Sequence, residues 1–154
     1  TAAKIEKAVG PKALGFSLKD QKGLSSLVQF PKNKVTVLAF ADREGAAQME
    51  KWIQPLYAKY TDQIDIHGIA DLSAVPRFAR GIAQSIVSGL VKYPVMLDWE
   101  GNISQAYKVE KAKTNLYVID PQGEINLHLS GPASAETLSE INLKIAELLN
   151  INEM

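Results

Sequence analysis

Residues 34–41, KVTVLAFA, are β-branched and almost wholly apolar, too much so for a strand with one wet face. Such a run reads as a strand buried on both sides, which needs a layer of structure above it and another below. A charged turn, Asp42-Arg43-Glu44-Gly45, follows it. Next comes a segment, roughly Ala46–Tyr60, with Met49, Trp52, Ile53, Leu56 and Tyr57 at helical spacing. A doubly buried strand feeding a helix through a short turn is a unit of α/β architecture.

The rest of the chain supplies matching pieces. IDIHGIAD (64–71) alternates Ile64, Ile66 and then Ile69, as a second strand would. Val75–Val91 predicts another helix, with Phe78, Ile82, Ile86 and Leu90 on one stripe and Pro76 suited to its first turn. YPVMLDWEGNI (93–103) gives a short strand and a turn. TNLYVIDPQGEINLHLS (114–130) reads as a hairpin around Asp120-Pro121-Gln122-Gly123, where proline presets φ and glycine takes a positive φ. Ser134 is placed to cap a closing helix that turns Leu138, Ile141, Ile145 and Leu148 inward. Toward the start, LGFSLKDQKGLSSLVQF (14–30) is a strand, a turn at Asp20–Gly23 and an apolar return. Thr1–Val9 predicts a short helix stopped by Gly10-Pro11. The order is β-β-α-β-α-β-β-β-α, with no repeat, linker or low-complexity tract. The expectation is one domain over 1–154, with about 1–14 as an N-terminal helical extension. The segments 34–41, 64–71 and 114–121 should be central strands of one mixed sheet with helices on both faces.

Composition excludes several chemistries. Lys plus Arg number 17, as do Asp plus Glu, so the formal net charge of zero gives no bulk attraction to nucleic acid or anionic membrane. No apolar run approaches the ~20 residues of a membrane span. There is no cysteine, which removes disulfides, thiolate nucleophiles, iron–sulfur clusters and cysteine-ligated zinc. The only histidines, His67 and His128, would have to meet and recruit a carboxylate to hold a metal, and read instead as polar residues within strands. Asp98 and Asp120 each precede a glycine by three residues, the pattern of a β-turn whose aspartate bonds its own backbone. Neither a G-x-S-x-G elbow, a G-x-G-x-x-G turn nor a Walker loop occurs. Lys4, Lys7 and Lys12 read as solvated surface. These residues imply no cofactor and no metal.

The order of motifs carries more. FSLKDQKG, KVTVLAFADREGAAQMEKWIQPLYAKY, IDIHGIAD, YPVMLD-x-x-G, QAYKV, LYVIDPQGEI and Gly131 ahead of the last helix together resemble the thioredoxin-like redoxins. The TlpA/ResA and alkyl-hydroperoxide-reductase-like branch is the nearest, and the YtfJ-like exported proteins are a looser match. The resemblance runs from about Gly15 to Leu149 and implies a thioredoxin-like fold. In that family the strand-to-helix junction carries Cys-x-x-Cys or a peroxidatic cysteine, its thiolate stabilised by the helix N-terminus. Here the matching window is Arg43–Gln48, and it holds no sulfur. The family's cis-proline, which faces the cysteines, falls on or beside Thr114 and is also absent.

Thiol–disulfide exchange and cysteine-based peroxide reduction need the thiolate itself, so this chain performs neither by the known mechanism. What remains is a redox-inactive scaffold, and the expectation is that it binds a protein or peptide across the old active-site face; the plainer reading of the same loops is an ordinary solvated turn. Asp42, Arg43 and Glu44 would line one side of that face, and Lys113, Thr114 and Asn115 the other. An enzyme using Asp42 or Glu44 as a base is a second reading, and a structural subunit of a larger complex is a third. The peptide bonds on either side of Thr114 should be trans, since a cis bond before a non-proline residue costs ~2.5–4 kcal/mol. Thr114 would then offer an N–H that proline lacks. The start at Thr1 is compatible with removal of a signal peptide, so a periplasmic or otherwise exported location is expected.

Overall fold

The computed structural model describes residues 4–6, 11–91 and 93–153, the first and last three of these by backbone alone. The strands are β1 (Lys4–Glu6), β2 (Phe16–Lys19), β3 (Ser25–Val28), β4 (Val35–Ala41), β5 (Ile64–Asp71), β6 (Val95–Asp98), β7 (Asn115–Ile119) and β8 (Ile125–Ser130). The helices are α1 (Ala46–Tyr60), α2 (Arg80–Leu90), α3 (Asn102–Ala106) and α4 (Ala135–Glu153). Six strands form one mixed sheet in the order β1-β8-β7-β4-β5-β6, and β2 pairs with β3 in a separate hairpin.

β4 is central and every residue of it is buried, as its composition demands. It runs parallel to β5, which in turn runs parallel to β6, and antiparallel to β7. β7 and β8 form the expected hairpin. Gly123 takes φ 93°, its N–H bonds to the Asp120 carbonyl, and the Glu124 N–H bonds to Asp120 Oδ1. One face of the sheet packs against α1 and α4, burying Met49, Trp52, Ile53 and Leu56 with Ile141, Ile145 and Leu148. Trp52 is wholly enclosed, and its indole N–H donates to the Gly131 carbonyl at 2.8 Å. The other face packs Leu38, Phe40, Ile69 and Ile119 under Phe16 and Val28 of the β2–β3 hairpin, with Tyr107 beyond α3. Ser134 caps α4 as expected, its Oγ accepting from the Thr137 N–H.

Three local expectations are corrected. Lys4–Glu6, placed in a helix by its sequence, is instead strand β1 on β8; the rest of 1–10 lies outside the described residues. A nine-residue helix is marginal alone, whereas β8 offers an unpaired row of backbone groups that a strand satisfies. Tyr57, at the same helical spacing, is exposed, outside the expected buried set. The stripe on α2 also faces outward, with Phe78, Ile82, Ile86 and Leu90 exposed by 89%, 66%, 55% and 77%. The inner side of α2 is held by polar contacts: Gln84 Nε2 donates to the Gln21 carbonyl, and Arg80 pairs with Glu100 and lies over the Trp99 ring. A short helix absent from the expected order, α3, follows Gly101; its Ser104 N–H and hydroxyl both donate to Asp98 Oδ2.

Candidate functional site

β4 ends at Ala41 opposite Ala70, so Asp42 emerges at the carboxyl end of the parallel strands, where open α/β sheets place their sites. Asp42 Oδ1 accepts from the Gly45 N–H at 2.9 Å, and its Oδ2 accepts from the Ala112 N–H at 2.7 Å. One carboxylate thus ties the junction turn to the loop ahead of β7. Ala112 holds a left-handed φ of 64°, unusual for a residue with a side chain, and its N–H is the one that Asp42 secures.

Thr114 meets the junction directly. Its hydroxyl donates to the Gly45 carbonyl at 2.7 Å, and its N–H points at Gln48 Oε1 at 3.4 Å. The peptides on both sides of Thr114 are trans; among the described residues the cis bond is Phe30–Pro31. The N–H that proline would lack is therefore turned inward to α1. Contact here is so close that a Cβ on Gly45 would stand 2.5 Å from the carbonyl carbon and oxygen of Lys113. The window that matches the cysteines therefore meets the loop that would face them backbone against backbone.

Asn115 turns away from this junction. Its Oδ1 accepts from the Glu110 N–H and lies 2.9 Å from His128 Nε2, and its amide donates to the Glu110 carbonyl at 2.8 Å. The Ser130 hydroxyl completes the group by donating to Glu110 Oε2, and His128 stacks on Tyr117. Lys113 Nζ stands 3.9 Å from Glu110 Oε1, half-exposed, while Arg43 and Glu44 are exposed. The six residues singled out by sequence therefore fall into two kinds. Asp42, Thr114 and Asn115 hold the loops together, and Arg43, Glu44 and Lys113 present charge to solvent.

Chemically, the junction offers no nucleophile, and its one inward carboxylate is committed to two backbone donors. His67 and His128 lie on β5 and β8 with β4 and β7 between them, so they cannot share a metal. Sequence reasoning missed Gln48, Glu110 and Ser130. Counting outward from the DPQG turn would set Asn115 opposite Leu129, but an irregularity between Val118 and Ile119 shifts the register and puts Asn115 opposite Ser130.

The described residues share their architecture with several solved thioredoxin-like structures. A Chlorobium tepidum protein assigned as the thiol:disulfide interchange protein DsbE is 20% identical, with a TM-score of 0.68 over 95% of this chain and 99% of that one. The exposed lipoprotein thioredoxin Etrx1 of Streptococcus pneumoniae is 17% identical, with a TM-score of 0.68 over 88% of this chain and 100% of that one. StoA of Bacillus subtilis is 19% identical, with a TM-score of 0.62 over 82% of this chain and 95% of that one. At such identities the likeness establishes a thioredoxin-like fold. No curated protein sequence matches the chain significantly. The profile of the AhpC/TSA family matches residues 9–128, and the chain belongs to that family as a thioredoxin-like redoxin without cysteine.

Proposed function

We propose that this redoxin is non-catalytic and works by binding a protein partner at the end of the molecule where its relatives carry out thiol chemistry. Arg43, Glu44 and Lys113 supply a charged rim there, framed from within by Asp42, Thr114 and Asn115. The close Gly45–Thr114 contact brings backbone against backbone at the junction, which favours a broad contact over turnover. The observation that carries the reading is the outward stripe of α2. It begins at Phe78, just beyond the same end of the sheet, and continues through Ile82, Ile86 and Leu90. Three large apolar side chains in water on a helix that buries none of its residues, with Phe78 exposed in the turn just ahead of it, suit a partner better than they suit the monomer. The alternative of a carboxylate base at Asp42 has little support from a group already accepting two backbone bonds.

Site-specific photocrosslinking tests this reading. A benzoylphenylalanine at Ile82 or Ile86 should give a discrete adduct in cells of the source organism, and one at the exposed Leu143 of α4 should not. The double variant Ile82→Glu/Ile86→Glu should abolish the adduct formed from a probe at Arg43, with folding stability unchanged within about 0.5 kcal/mol because both sites are exposed. Absent adducts, or equal labelling from Leu143, would refute it.

A further inference from the structure

The outer face of α2 has an internal order. Each of its exposed large apolar side chains follows a small residue, and the pairs Gly81-Ile82, Ser85-Ile86 and Gly89-Leu90 recur at every fourth position. Residues four apart share one side of a helix, so these six form two adjacent rows, one of knobs and one of hollows. All six are exposed. The hollows are open, since a Cβ at Gly81 or Gly89 would meet nothing within 4 Å. Neither glycine takes a positive φ. Glycine weakens a helix interior, and the monomer gives no reason for one at either place. Close approach of a second backbone is a reason.

Reversing the pattern produces its complement. When two copies of α2 run antiparallel about a two-fold axis beside Ser85 and Ile86, Leu90 of each falls against Gly81 of the other. Ile86 then meets Ser85, and Ile82 meets Gly89. A two-fold interface requires this self-complementarity, residue i on j and j on i. Charge agrees with it. No charged residue lies between Gly81 and Val91, and Arg80 at the start of the helix is paired with Glu100. A face that meets its own image doubles every charge it carries, so a neutral face suits a second copy. An anionic lipid surface would instead be met by Lys and Arg beside the apolar stripe, and none stands between those two residues. Phe78, Ile82, Ile86 and Leu90 each keep more than half of their surface in water, on the order of 100–200 Å² apiece. Covering them on both copies removes about 1,000 Å², the lower bound for a specific interface, so the complex is a weak one.

We propose that α2 is a homodimer interface, at which two copies of this chain pack α2 against α2 antiparallel in the register given above. The proposal rests on the reading of the same stripe as a partner surface and names that partner.

Sedimentation velocity of the whole chain tests it. From about 1 μM to about 1 mM the mean mass should rise from 16.8 kDa toward twice that value, equally at low and high salt. Gly81→Leu fills a hollow and touches nothing in the monomer. It and Ile86→Glu should each weaken association at least about tenfold without lowering the unfolding midpoint. The chain has no cysteine, so single-cysteine variants report the axis directly. Ser85→Cys, whose Cα atoms come within the ~7 Å reach of a disulfide at that axis, should give a linked dimer in air, and Leu143→Cys should not. A mass fixed at 16.8 kDa, association untouched by Gly81→Leu, or linkage of Leu143→Cys as fast as that of Ser85→Cys would overturn the proposal. So would a monomer that binds phosphatidylglycerol vesicles through Ile86, which would assign the face to lipid. A monomer whose Ile82 probe captures a different protein would end the proposal and leave the partner reading standing. A dimer in solution whose Arg43 probe labels nothing in cells would do the reverse.

Discussion

Replacing Gly45 with alanine should loosen the junction that stands where a redoxin active site would be. Gly45 has φ −82° and ψ −15°, a conformation alanine adopts freely. Judged by backbone freedom alone, the change should therefore stabilise by ~0.4–1 kcal/mol. Packing opposes it. The new methyl would lie 2.5 Å from the Lys113 carbonyl carbon and oxygen and 2.9 Å from the Thr114 nitrogen, backbone atoms that cannot rotate aside. Reaching an ordinary contact of ~3.5 Å requires the two loops to part by about 1 Å. That opens the buried Thr114–Gly45 hydrogen bond, now 2.7 Å, and strains the 2.7 Å bond from Ala112 to Asp42. Overpacking costs ~1–3 kcal/mol, and the lost bond a further ~0.5–1.5 kcal/mol. Set against the entropic gain, the net expectation is a loss of about 2 kcal/mol. Urea unfolding followed by Trp52 fluorescence measures it, with an unchanged m-value as the check on two-state behaviour. Gly81→Ala is the matched control, since a Cβ there meets nothing within 4 Å and should stabilise exposed α2 by up to ~1 kcal/mol. If Gly45→Ala is neutral, or as stabilising as Gly81→Ala, then the junction is not closed as described.

Three other outcomes are expected. Trp52→Ala should cost about 3–5 kcal/mol in urea unfolding followed by far-ultraviolet circular dichroism, from a cavity in the layer between the sheet and α1 and α4; a loss under ~1 kcal/mol would mean that the ring is exposed. Stability should fall as the pH drops through and below the ordinary histidine range near 6.5, because the unfolded chain takes up a proton that buried His67 resists in the presence of Lys32 and Asp65. That contribution is complete above the unfolded pKa and should vanish from the pH profile of His67→Gln; identical profiles would contradict it. Insulin-reduction and thiol-peroxidase assays should read no faster than a no-enzyme blank, and turnover surviving repurification would break the argument from the missing cysteines.

Much of the architecture was written locally. The composition of 34–41 required burial on both faces, the DPQG turn required a hairpin, and Ser134 marked the start of α4, because period and turn chemistry are properties of short stretches. The inward set Met49, Trp52, Ile53 and Leu56 could be read from spacing, and the order of motifs foretold that the Arg43–Gln48 window would face Thr114. The loss of thiol chemistry was a matter of composition alone. What needed the tertiary structure was every outcome set by a distant neighbour. Lys4–Glu6 is a strand because β8 has an edge to fill. The stripe of α2 is wet because Gln84 and Arg80 hold its other side. Asn115 meets Ser130 and not Leu129 because an irregularity in the β7–β8 ladder slips the register by one. The junction itself is closed because two loops some 70 residues apart come within van der Waals reach at a glycine. Such a distance depends on how the whole sheet twists and packs, and no local pattern of residues encodes it.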